Sequence, residues 1–175
     1  AKEVQHVVFL QNTIETIRVQ IPVLKPEKWS PEHPNLYECR IQIKNGDTVC
    51  DVVTEHFGIR VLTLDPIRGF QINGETVKFR GACIHHDNGI IGAETFAEAE
   101  WYRCKCLKEA GFNALRSSHH PMSRTMLEAC DRLGMLVMDE LTDMWNRHKN
   151  PYDYADIFQE QAGQWIEHMV AKDYN

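Results

Sequence analysis

Long hydrophobic runs are missing from this sequence. No stretch approaches the ~18 to 20 apolar residues that a bilayer-spanning helix needs, so a membrane-spanning role is not expected. The opening Ala1 to Leu10 has a short apolar core, Val7-Val8-Phe9-Leu10, without the cleavage pattern of a secretory signal. It reads as a strand entered in mid-domain, with the start of the protein expected upstream. A basic stripe is also missing. The 19 Lys and Arg against 25 Asp and Glu leave a net charge of −6, with no block of like charges. Nucleic acid and anionic membranes gain nothing from that balance, and neither is expected as a partner. No glycine-rich phosphate loop, nucleophile elbow or persuasive cysteine–histidine pairing occurs.

Cysteine is present, but not as a framework. Cys39, Cys50, Cys83, Cys104, Cys106 and Cys130 are spread through apolar segments and read as free buried thiols of a reducing, cytoplasmic compartment. Two residues apart on a helix, Cys104 and Cys106 point about 200° away from each other, which is poor metal geometry. A cross-hairpin disulfide between Cys39 and Cys50 is the alternative for that pair.

The chain has 175 residues, 43% hydrophobic and 25% charged, room for one medium or two small globular domains. Residues 1–65 are strand-like. His6 to Leu10, Thr13 to Ile21, Leu36 to Lys44 and Thr48 to Glu55 alternate or are β-branched, and Asn45-Gly46 signals a hairpin. This reads as the later part of a β-sandwich, a scaffold without catalytic residues. Leu64 to Gly69 marks the boundary with residues 66–175. There Phe70 to Phe79 predicts a second hairpin about Asn73-Gly74, and then the period changes. Glu94 to Ala110, with Phe96, Trp101, Cys104 and Leu107 on one face, predicts a helix stopped by Gly111. A second helix is capped by Ser123 and ends at Gly134, and a third begins near Tyr154 or Asp156.

Between these helices, three apolar runs end in polar residues: Gly81 to Asp87, Asn113 to Pro121 and Gly134 to Glu140. Strand–helix alternation of this kind builds a parallel sheet covered by helices, and polar strand ends form the active-site rim of an α/β barrel. Three such units do not close a barrel of eight, so Leu115, Leu136 and Met138 are expected to lose part of their burial.

The candidate site lies at these ends. Arg116 needs an acceptor among Asp87, Asp139 and Glu140, because an unpaired buried charge is costly; it is either an internal brace or a pocket residue. His119, further out on the rim, is placed to hydrogen-bond a substrate hydroxyl. His85-His86-Asp87 admits a sugar contact, a loop role or a metal, although its spacing is not that of a helical zinc motif. Asp139 and Glu140 are adjacent and diverge on a strand. They are not the pair of a glycosidase, whose carboxyls converge at about 5 Å or 6.5–9.5 Å from different strands.

WSPEHPNLY (Trp29–Tyr37), FGIR (Phe57–Arg60), FQINGETVKFRGACIHH (Phe70–His86), NALRSSHHP (Asn113–Pro121) and CDRLGMLVMDE (Cys130–Glu140) resemble, in order, glycoside hydrolase family 2, nearest its β-galactosidase branch. The resemblance implies the end of an immunoglobulin-like β-sandwich followed by the first part of a truncated (β/α)8 TIM barrel. It implies a retaining hydrolase of terminal β-D-galactosides, acting on a β-galactoside or related oligosaccharide. His85 and His119 match pocket-lining positions, and Arg116 matches an arginine beneath the pocket. Glu140 and Trp145 complete the substrate-binding candidates, Trp145 as a stacking ring or a core residue. Both catalytic carboxylates are expected beyond Asn175, leaving this chain inactive by itself. Homo-oligomerisation, or association with the rest of the barrel, is expected. The sequence departs from the family at His120, where tyrosine is usual. At the place of a magnesium-binding histidine stands Trp145, with Asp143 for the acid, so no metal or other cofactor is expected. A non-catalytic carbohydrate-binding scaffold, a β-glucuronidase and a β-mannosidase are the alternatives.

Overall fold

The computed structural model describes residues 1–8 and 13–174. Strand β1 (Tyr37–Asn45) pairs antiparallel with β2 (Thr48–Phe57). Their tight turn is Gly46-Asp47, one residue later than Asn45-Gly46. The ladder runs Cys39 opposite Glu55, then slips so that Ile43 faces Asp51 and Lys44 faces Val49. Cys50 sits at that bulge and Cys39 lies far along the strand, so the register rules out a Cys39–Cys50 disulfide.

Two stretches predicted as strands carry none among the described residues. Residues 13–21 carry no strand, and Ile14, Ile17, Val19 and Ile21 stand exposed. Alternation alone does not make a strand, since its backbone groups need a neighbouring edge. Of the predicted strand His6 to Leu10, residues 6–8 are irregular, while Phe9 and Leu10 lie outside the described residues.

A small antiparallel sheet follows: β3 (Leu62–Asp65), β4 (Gly69–Ile72) and β5 (Glu75–Thr76), in that order. Asn73 and Gly74 both adopt positive φ (55° and 91°), the two-residue turn that the sequence specifies.

The last sheet is parallel, in the order β6 (Gly81–Ile84), β7 (Ala114–Ser117) and β8 (Leu136–Met138). Asn113 fixes its start: its Oδ1 accepts the Arg80 N–H at 2.7 Å and its Nδ2 donates to the Lys78 carbonyl at 3.0 Å. Crossing back over the sheet are α1 (Ala97–Glu109) and α2 (Arg124–Leu133). Ser123 caps α2 as predicted, its Oγ accepting the Met126 N–H at 3.2 Å. The buried face of α1 is Glu100 and Cys104, while Phe96 and Trp101 are exposed. After a 3-10 turn at Tyr154–Asp156 comes α3 (Phe158–Asp173).

Strand register sorts the side chains into two faces. Ala82, Leu115 and Val137 are level with one another; Leu115 and Val137 pack with Ile84, Cys104, Met126 and Cys130 under the helices. Ala114 and Leu136 belong to the opposite face and pack on Trp29 and Ile72, which close that end of the sheet. Leu115 and Leu136 are therefore buried, at 1% and 7% exposure, and only Met138 is bare at 57%. Of the three residues, the expected loss of burial falls on Met138, in the row with Cys83 and Arg116 nearer the rim. Of the six cysteines, all free, only Cys104 and Cys130 are buried, because the others fall on the exposed hairpin, the rim row or the outer face of α1.

Candidate active site

The polar residues converge at the carboxyl ends of β6, β7 and β8. Arg116 points from β7 to Glu140, its Nε donating to Oε1 at 2.5 Å, and its Nη1 reaches the Cys83 sulfur at 3.1 Å. Of its three candidate partners, Glu140 is the one it takes. His119 follows across a cis peptide bond after Ser118. Its Nδ1 lies 3.0 Å from Glu140 Oε2 and 3.3 Å from Arg116 Nη2. The nearer carboxylate oxygen makes Nδ1 the protonated nitrogen, donating to Glu140, which leaves Nε2 as an acceptor. His85 stands edge-on to His119, ring centroids 5.5 Å apart, and its carbonyl accepts from Arg103.

Glu140 therefore links a guanidinium and an imidazole. Partial burial pushes its carboxyl up, but the hydrogen bonds from His119 and Arg116 prevail and hold it below the ordinary glutamate range. It is ionised at neutral pH and acts as an acceptor, not as an acid.

Successive residues diverge as the strand geometry requires. Asp139 turns away, its Oδ1 accepting the Met122 N–H at 2.9 Å, and meets Asp173 at the end of α3. His86 turns to the start of α2, its Nε2 accepting the Ser123 N–H at 3.3 Å, and stacks on His120 at 4.6 Å. Burial, then the neighbouring His120, lowers the His86 pKa.

Two clefts flank the loop after β8. One, of about 980 Å³, is bounded by His85, Asp87, His119 and Asp143, with Tyr154, Trp165 and His168 opposite. The other, about 480 Å³, is bounded by Arg116, His119, Glu140, Asp143, Trp145 and Phe158. His119 and Asp143 border both. Trp145 is at the surface, 64% exposed, and not in the core. Its ring is nearly parallel to Phe158, centroids 6.5 Å apart, and its indole N–H donates to the Thr142 carbonyl. The structure thus brings His85, Arg116, His119 and Glu140 together, with Trp145 on the adjoining wall. Trp165, His168 and Met169 on α3 border the larger cleft and are not among the residues singled out from the sequence; a histidine inside an apolar helix face is the signal that points to them.

The residues present do not fit a magnesium site. Asp143 is committed to Lys149, whose ammonium holds its carboxyl below the usual range. Trp145 offers no ligand atom, and no three His, Cys, Asp or Glu side chains converge suitably among the described residues.

The Asp139–Asp173 contact carries a pH prediction. Lys172 Nζ is 2.6 Å from Asp173 Oδ1 but off hydrogen-bond geometry, and Asp139 Oδ2 and both Asp173 oxygens are buried without a donor. Desolvation, then the Asp173 carboxyl, raises the Asp139 pKa to about 6. A raised carboxyl means that the folded chain holds a proton the unfolded chain releases. Its stabilisation is complete below the unfolded value near 4 and is lost as pH rises to about 6. Asp173→Asn, which removes one charge and supplies a donor, is expected to be about 1–2 kcal/mol more stable than wild type at pH 7. The gain should vanish near pH 4. Urea unfolding at both pH values checks this; equal stability at pH 7 would refute it.

Residues 1–60 match the sequence profile of glycosyl hydrolases family 2, and residues 67–171 match that family's TIM barrel domain. The chain belongs to glycosyl hydrolases family 2. Its architecture is accordingly the sandwich domain followed by the start of the TIM barrel, with β6, β7 and β8 as barrel strands. Beta-galactosidase BoGH2A of Bacteroides ovatus is 36% identical over 89% of this chain and 18% of its own length. A putative beta-glucuronidase of Formosa agariphila is 38% identical over 85% of this chain and 15% of its own. The crystal structure of a family 2 member from Bacteroides cellulosilyticus superposes with a TM-score of 0.80, at 46% identity, covering 87% of this chain and 20% of that one. The chain thus spans a fifth or less of each of these relatives.

Proposed function

We propose that residues 1–175 contribute the first wall of the sugar pocket in a retaining β-galactosidase, which releases terminal non-reducing β-D-galactose. The observation that carries this is the rim charge. Asp87, Glu140 and Asp143 border the clefts, while Arg116 is committed to Glu140 and Lys149 to Asp143. A neutral sugar meets acceptors for its hydroxyls there; a uronic acid meets like charge, and Lys172, the lysine bordering the larger cleft, is held by the Met122 carbonyl and beside the Asp173 carboxylate. His119 Nε2 accepts a sugar hydroxyl, the Arg116–Glu140 pair holds that imidazole, and the exposed Trp145 face stacks on the ring.

In this reading the nucleophile and the acid/base are supplied by other residues of the enzyme. One carboxylate attacks the anomeric carbon while a carboxylic acid protonates the leaving oxygen, and water then releases the sugar with retention. A β-glucuronidase is the second reading, favoured by the name of the Formosa agariphila relative. Reaction in a cytoplasm and as an oligomer belong to the proposal as well.

Kinetics on nitrophenyl glycosides with the enzyme encoded by the whole gene test this. A β-galactoside preference of at least about tenfold in kcat/KM over the β-glucuronide and β-mannoside is expected. A preference for the glucuronide would overturn it, and hydrolysis of none would favour a binding scaffold. The 175-residue chain alone is expected to show no turnover above a boiled control.

A further inference from the structure

The pocket uses neither of the two buried thiols. Cys104 on α1 and Cys130 on α2 are 0% and 1% exposed, and their sulfurs lie 3.8 Å apart. A disulfide bond needs about 2 Å, so each sulfur must move by about 1 Å, within the reach of small χ1 rotations. The other four cysteines are partly or fully exposed. Packing excludes water from the pair, yet Cys130 borders a cleft of about 390 Å³ between α2 and the end of α3, edged by Arg124, Asp131, Asp139 and Asp173. Both sulfurs are fully covered, so an oxidant reaches the pair through local opening of the helices and not through a standing channel.

We propose that Cys104 and Cys130 are an oxidisable pair, which a small hydroperoxide converts to an intramolecular disulfide stapling α1 to α2. The thiolate of one cysteine attacks the peroxide O–O bond and becomes a sulfenic acid, and the oxygen fragment leaves as alcohol, or as water from hydrogen peroxide. The second thiolate attacks that sulfenic sulfur, forming the S–S bond and expelling hydroxide, which leaves as water with the proton from the second thiol. In sum, two thiols and one hydroperoxide give one disulfide, one alcohol and one water; the sulfurs are oxidised by two electrons and the peroxide is reduced by two.

Two features prepare the pair for this step. The hydrogen bond with Cys130 holds the Cys104 thiol below its ordinary range, with help from the Lys108 ammonium, while the same contact and burial push Cys130 up. One sulfur is thus the better thiolate and its neighbour the proton holder. The cross-link spans α1, α2 and, between them, β7 with Arg116 and His119, so its closure fixes the two helices that back the site-bearing strand.

Differential alkylation of the enzyme encoded by the whole gene, read on the peptides that carry these six cysteines, tests the proposal. Iodoacetamide applied to the folded protein blocks the four accessible thiols. The sample is then divided, one half treated with hydrogen peroxide, and both are denatured with N-ethylmaleimide. The expected result is two maleimide adducts, on Cys104 and Cys130, without peroxide, and none with it. Labelling should return after reduction, and non-reducing digestion should yield a Cys104 peptide joined to a Cys130 peptide. Two adducts surviving peroxide, or oxidation halted as sulfinic acid on one cysteine, would overturn it. No variant is needed, so a folding defect does not obscure the result.

Discussion

Replacing Gly134 with alanine is expected to lower the unfolding free energy of the chain by about 3–5 kcal/mol, a large share of a small domain's stability. Gly134 ends α2 in the left-handed region, φ 72° and ψ 48°, which costs an L-residue about 1 kcal/mol. The larger part is contact. A Cβ there would lie 2.3 Å from the Pro31 carbonyl oxygen, and that carbonyl also accepts the Lys108 ammonium at 2.7 Å. The loop cannot retreat cheaply. Trp29, two residues earlier, is 2% exposed, donates its indole N–H to the Asp131 carbonyl at 2.8 Å and lies under the Arg60 guanidinium. Backbone must move, and Trp29 with it. Urea unfolding followed by tryptophan fluorescence measures the loss. Gly111→Ala is the control, because its φ is also positive (90°) but its Cβ would meet open space, and about 1 kcal/mol is expected there. Equal costs at the two glycines would show that the Pro31 contact has no energetic weight.

How much of this was legible follows from what each residue depends on. The three barrel units were readable because their signals are local. Ser123 caps the helix that begins one residue later, Gly134 ends it, and Asn73-Gly74 makes its turn from its own backbone preferences. The rim was readable for the same reason, since a polar residue at the end of an apolar strand has one place to go. Partners were not readable. Arg116 had three candidate acceptors in sequence, and only the register, with Arg116 level with Met138, puts Glu140 within reach. Residues 13–21 show the converse. Their alternation is that of a strand, but pairing is a property of two segments, and no strand forms there. Leu115 and Leu136 were expected to lose part of their burial on the view that further barrel strands cover them. The helices and Trp29 cover them instead, because adjacent rows of one strand face opposite layers.

In the proposed β-galactosidase, Arg116, Glu140 and His119 are expected to act as one unit, and the expected sign of that is non-additivity. Arg116→Gln alone should lower kcat/KM on a β-galactoside by about 100-fold or more. It leaves Glu140 without its guanidinium and His119 without a fixed carboxylate to set its tautomer. Glu140→Gln should cost a similar factor by a different route. The amide can present a donor to Nδ1, favouring the tautomer with the proton on Nε2, and a sugar hydroxyl then loses its acceptor. The double variant should be no worse than the poorer single one, since the geometry is already lost. Folding is not expected to confound the comparison: the side chains of Arg116 and Glu140 are 40% and 22% exposed, so thermal midpoints should stay close to wild type. The pH profile separates a positioning role from a structural one. With its pKa held low by His119 and Arg116, Glu140 is ionised across the working range, and the acid limb should move upward in Arg116→Gln as the carboxyl pKa rises toward its ordinary value. Additive losses in the double variant, or an acid limb that stays in place, would mean that Arg116 and His119 meet the sugar independently and that Glu140 is only a bystander between them.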